Sequence, residues 1–76
     1  MAGTDVTPRQ LQVLGAHVSA GSYKAAGLAL GISPRTVRAH LVNVRQRLAV
    51  STTEQAVYVL TARGVLVVPG VGRRVA

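Results

Sequence analysis

Pro8, Gly21, Gly31 and Pro34 punctuate the first half of this chain, and each stands where a helix has to start or stop. Thr7-Pro8-Arg9-Gln10 reads as an N-cap, a proline at the first helical position and a capping-box glutamine. Val6 and Leu11 are spaced for a hydrophobic staple across that start. Gly21 ends this helix after about Ala20, and Ser22 is placed to cap a second one over Tyr23 to Leu30, with Gly31 as its left-handed stop. Ser33-Pro34 opens a third helix that ends near Leu48. Ser51-Thr52-Thr53-Glu54 reads as a further capping box, with Ser51 as cap and Glu54 as its partner. The fourth helix it opens is stopped by Gly64, with Val65 making the closing apolar contact. No strand pattern is longer than Val65 to Val68, so the expected fold class is all-α with four helices.

The chain has 76 residues, and a chain of that length forms one small domain that buries only roughly 60–65% of its unfolded surface. The expected organisation is a flexible N-terminus over 1–5, a domain over 6–66 and a flexible basic tail over 67–76, where "VVPGVGRRVA" gathers proline, glycine and arginine. Nine basic residues against two acidic ones give a net charge of +7, which calls for an anionic partner, nucleic acid first and an acidic membrane surface second. There is no cysteine, hence no disulfide framework and no thiolate metal site. No apolar stretch reaches the ~18 residues of a membrane span. The opening "MAGTDV" lacks the basic and apolar regions of a signal peptide, so a cytoplasmic, nucleoid-associated protein is expected.

The third helix carries the most information. At about 100° per residue, Val37, Leu41, Val44 and Leu48 fall on one narrow stripe, the core face. The opposite face holds Arg35, Arg38, Ala39, Val42, Arg45 and Gln46, while Thr36, His40, Asn43 and Arg47 lie on one flank. The second helix is short and small-residued, with Ala25, Ala26, Gly27 and Ala29, which lets another helix pack closely across it. Two helices joined by a tight glycine-containing turn, the second basic on its outside, form the pattern of a helix-turn-helix.

Enzyme chemistry has no inventory here. Asp5 lies near the terminus, Glu54 is assigned to the cap, and no paired carboxylates, Ser-His-Asp set or phosphate-cradling glycine loop can be assembled. Two histidines and two acids scattered along the chain give no metal site, and no cofactor is expected. Binding of single strands by stacking needs aromatics, and Tyr23 and Tyr58 are the only ones.

"TPRQLQVL", "SYKAAGLALGISPRTVRAHLVNVRQRLAVSTTEQAV" and "RGVL" resemble the LuxR-type, or GerE-like, DNA-binding domain of bacterial transcription regulators, over about residues 6 to 66. "GISPRTVRAHL" and "LAVSTTEQAV" are the specific parts. The resemblance implies a four-helix domain whose third helix enters the major groove of double-stranded DNA and whose fourth commonly forms a homodimer. Most members of that family carry an N-terminal receiver or ligand-sensing domain; none is read in these residues, as in the short stand-alone members, and Met1 leads to the expectation of an independent reading frame, with a fragment of a larger regulator left open.

Carried over by position, the family's base contacts fall on Arg38, Ala39 and Val42, which the helical wheel independently points outward. Its phosphate contacts fall near Lys24, Ser33, Arg35, Thr36, His40 and Arg45. Ala39 and Val42 are read either as contacts to thymine methyl groups or as neutral surface. His40 is a phosphate or water contact, and His17 a partly buried histidine with one local partner. Arg73-Arg74 is either a solubilising end or an arm on the DNA backbone. Val57, Tyr58 and Leu60 form the candidate dimer face. Helix one is apolar on more than one side, with Leu11 and Val18 opposite Val13, so one of those faces is open to remain exposed.

The chain departs from the family at several positions. Ala25 and Ala26 stand where glutamate and a branched apolar residue are common. Gly27 stands where alanine is usual, at a cost to helix two of up to ~1 kcal/mol. His17 stands at a usually apolar position, and Thr61 where leucine is usual, which weakens the family-like dimer surface. The expected function is sequence-specific regulation of transcription, with contact to RNA polymerase as a further expectation, in a bacterial or phage protein. Two other readings stay open: a sigma region-four-like or phage repressor or excision-type DNA-binding protein, and an interaction module that pairs with a full-length regulator and silences it.

Overall fold

The computed structural model describes residues 6–66. The expectations for 1–5 and for the tail 67–76, Arg73 and Arg74 included, fall outside the described residues. Four helices follow one another: α1 (Pro8–Ala20), α2 (Tyr23–Leu30), α3 (Pro34–Leu48) and α4 (Thr53–Ala62). The local signals act as read at the first three starts. Thr7 Oγ1 accepts from the Gln10 amide at 3.1 Å, and the Gln10 side chain accepts from the Thr7 amide at 3.0 Å, closing the first capping box. Ser22 and Ser33 accept from the amides of Ala25 and Thr36, each at 3.0 Å. Gly21 and Gly31 take the left-handed conformation that ends α1 and α2.

The fourth start differs from expectation. The cap of α4 is Thr52 and its box partner is Gln55, not Ser51 and Glu54. Gln55 Oε1 accepts from both the Ser51 and Thr52 amides, at 2.8 and 3.1 Å, so one side chain satisfies two of the donors that precede the helix. The end of α4 differs too. Val65 is 43% exposed, while Leu66 is 6% exposed and belongs to the core. Gly64, at φ +73°, reverses the chain so that the Val65 and Leu66 amides both donate to the Leu60 carbonyl. Leu66 thereby returns to α1, its side chain lying beside Gly15.

The core is one cluster drawn from every helix: Val13 and Leu14 of α1, Ala26 of α2, Val37, Leu41 and Val44 of α3, Ala56 and Leu60 of α4, and Leu66. On α3 these are the residues of the expected stripe, with Leu48 half-buried at its end. On α1 the question of two apolar faces resolves in favour of Val13 and Leu14, while Leu11 and Val18 are only partly buried. α1 packs on α2 and α3, α2 on α3, and α3 on α4.

Candidate nucleic-acid interface

The approach of α2 to α3 is set by Gly27. A Cβ built there would stand 2.5 Å from the Ile32 carbonyl oxygen and 3.4 Å from the Pro34 nitrogen. No side-chain carbon fits at that separation, so the backbone entering α3 lies against the bare face of Gly27. The Ile32 amide donates to the Gly27 carbonyl at 2.9 Å, which fixes the turn between the two helices. Gly27, which by propensity weakens α2, is the small residue of that helix against which the turn into α3 packs.

With its core stripe buried, α3 turns the opposite face outward. Arg35, Arg38 and Ala39 are exposed, and Val42 and Arg45 are half-buried. Lys24, Ser33 and Thr36 are exposed and His40 is half-buried. The first turns of α1, α2 and α3 hold no acidic residue, so their positive helix ends are not offset locally. Arg38, Ala39 and Val42 thus share one outward face, with Arg35 one turn earlier and Arg45 two turns later.

Two expected phosphate contacts are engaged with each other. Ser33 Oγ accepts from the Thr36 amide, and the two hydroxyls lie 2.9 Å apart. One hydroxyl proton is used between them, and the other hydroxyl keeps its proton for a further acceptor. Arg45 is also engaged: its Nη1 donates to Thr53 Oγ1 at the start of α4, at 3.0 Å. Nothing in the sequence signals that bond, because helical periodicity does not relate side chains on two successive helices.

Tyr23 is half-buried and its ring stacks on His17, centroids 4.9 Å apart and planes inclined by 29°. The local partner of His17 is therefore an aromatic ring, while its Nδ1 is buried without a hydrogen bond. The Thr61 hydroxyl is likewise buried and unbonded. Both are positions where the resemblance leads one to expect an apolar side chain, and an unbonded buried polar group costs ~1–3 kcal/mol.

The candidate dimer face changes in one member. Leu60 is 0% exposed, a member of the core cluster, and cannot contribute to a surface. Tyr58, two residues earlier and so about 200° around the helix, is 74% exposed. It borders a shallow hollow of about 390 Å³ with Val50, Glu54, Gln55 and Val59. Val57 is half-buried and lines a cleft of about 310 Å³ with His17, Val18, Gly21, Thr53 and Glu54.

Among the described residues, no group of three histidine or acidic side chains is placed to hold a metal ion. No helix there is long and apolar enough to cross a membrane. A comparison with curated proteins gives no match. The family model for bacterial regulatory proteins of the luxR family matches residues 5–62, which spans all four helices. With a helix-turn-helix at its centre and a basic face on the second of those helices, this chain belongs to the luxR family of bacterial regulatory proteins and is a DNA-binding regulator of transcription.

Proposed function

We propose that the chain reads specific sequences in double-stranded DNA by laying α3 in the major groove. The observation that carries this reading is the outward face of α3, where exposed Arg38 and Ala39 stand beside half-buried Val42, opposite the buried stripe. Arg38 is the residue suited to guanine O6 and N7, and Ala39 and Val42 suit the thymine methyl group. Lys24, Arg35 and Arg45 supply positive charge along the backbone, joined by His40 and the remaining hydroxyl proton of the Ser33–Thr36 pair. Phosphate neutralisation supplies most of the affinity, and α3 supplies the choice of sequence.

Because one module of this size covers few base pairs, two copies are proposed to occupy a two-fold site, paired through Tyr58 and Val57 on α4. The bare face around Tyr58 also favours the second reading, an interaction module that pairs with a full-length regulator. That module has no sequence preference of its own.

The test is selection of genomic fragments by the purified chain, followed by affinity measurement at several salt concentrations. Enriched fragments sharing a site, and a log–log slope of about −0.9 for each phosphate neutralised, are expected. Arg38→Ala is expected to lose about 1–3 kcal/mol at the selected site and to relax one base position. Equal loss on selected and unrelated DNA makes Arg38 a backbone contact, and a flat salt dependence removes the DNA reading altogether.

A further inference from the structure

The hydrogen bond from Arg45 to Thr53 ties the outward face of α3 to the first residue of α4. Arg45 follows Arg38 by seven residues, so the two lie nearly in line along α3, about 10.5 Å apart. A half-buried arginine at that place is at the far end of the face that meets DNA. We propose that Thr53 is a positioning residue for the DNA backbone contact: its hydroxyl oxygen pre-orders the Arg45 guanidinium so that it meets phosphate already aligned. The inference rests on the groove-facing placement of α3 proposed above.

Three features support it. The bond uses one of five guanidinium N–H donors, which leaves four for phosphate oxygens. The acceptor is a neutral hydroxyl, which fixes the side chain without cancelling its charge, as a carboxylate partner would. Thr53 is itself held rigidly. It follows the cap Thr52 directly, and Gln55 closes the capping box from the other side while also taking the Ser51 amide. A free arginine loses much rotamer freedom when it is pinned on phosphate, and a side chain ordered in advance has less to lose. On this reading α4 has a part in DNA affinity within a single protomer, separate from any pairing of two copies.

The test is fluorescence anisotropy on a short mixed-sequence duplex, which reports backbone contacts without knowledge of the operator. The full chain is compared with Thr53→Val, Thr53→Ser, Arg45→Ala and the double variant Arg45→Ala/Thr53→Val across a range of salt. Thr53→Val keeps the shape and removes the acceptor; it is expected to weaken binding about three- to tenfold with an unchanged salt slope, the scale of ordering one long side chain. Thr53→Ser restores the acceptor and is expected to bind as the unmodified chain does. Arg45→Ala is expected to reduce the magnitude of the slope by about 0.9, one phosphate contact. In the Arg45→Ala background, Thr53→Val is expected to change nothing further.

A Thr53→Val loss of the same size with and without Arg45 shows that Thr53 acts through α4 alone and overturns the proposal. Unchanged or tighter binding by Thr53→Val overturns it as well, as does an Arg45→Ala variant with an unaltered slope. Circular dichroism checks each variant for folding, and if Thr53→Val unfolds, Thr53→Ala against Thr53→Ser makes the same comparison. A salt-independent unmodified chain defeats the DNA reading itself, which separates that failure from failure of the positioning role.

Discussion

Gly27 and Ala49 each hold the residue that local helix chemistry would assign to the other. Gly27 lies inside α2, where alanine has the higher propensity by about 1 kcal/mol. Ala49 ends α3 at φ +58°, a left-handed conformation that favours glycine. The first choice has a reason in the tertiary structure, the Ile32 carbonyl 2.5 Å from where a Cβ would sit. Gly27→Ala is therefore expected to destabilise by about 1–3 kcal/mol, despite its gain in propensity, and urea denaturation checks it. An equal or higher midpoint would mean that the turn before α3 yields easily. At the second, the amides of Ala49 and Val50 bond back to the last turn of α3, bonds that a glycine at 49 would make equally well without the strain. Ala49→Gly is expected to stabilise by about 0.5–1 kcal/mol, since relief of the left-handed strain outweighs the greater freedom of glycine in the unfolded chain.

At the level of elements, the start of α4 shows how two local signals compete. Ser51 with Glu54 and Thr52 with Gln55 both satisfy the capping-box pattern, one residue apart. The structure uses the second pair, and Gln55 then serves the Ser51 amide as well. Removing the working cap by Thr52→Ala is expected to cost about 0.5–2 kcal/mol, while Ser51→Ala stays within about 0.5 kcal/mol. Thermal melts of the two variants side by side decide it, and a larger loss at Ser51 would restore the earlier box. The same helix separates packing from surface. Leu60→Ala is expected to cost about 2–5 kcal/mol because it empties a filled core position. A charged residue at 60 would unfold the domain and so says nothing about pairing.

For the whole molecule, pairing is probed at Tyr58, whose exposed ring contributes little to the fold of one protomer. Tyr58→Arg is expected to leave stability nearly unchanged and to reduce two protomers per selected site to one, read by sedimentation with and without DNA. A single protomer per site on the unmodified chain rules the pairing out. Much of this architecture was legible beforehand. The helix starts at Thr7, Ser22 and Ser33, the stops at Gly21 and Gly31, and the stripe of Val37, Leu41 and Val44 depend on interactions within a turn or two of one helix, and those are written in consecutive residues. The outward placement of Arg38 and Ala39 followed from the stripe, because a helix that buries one face must present the other. What the sequence left open was decided by parts of the chain that meet only after folding: which apolar side of α1 is covered, Leu66 in place of Val65 against Gly15, the burial of Leu60, the close approach at Gly27 and the bond from Arg45 to Thr53. Each depends on the relative position of two or more helices, which is a property of the packed core as a whole and leaves no periodic signal in any one of them.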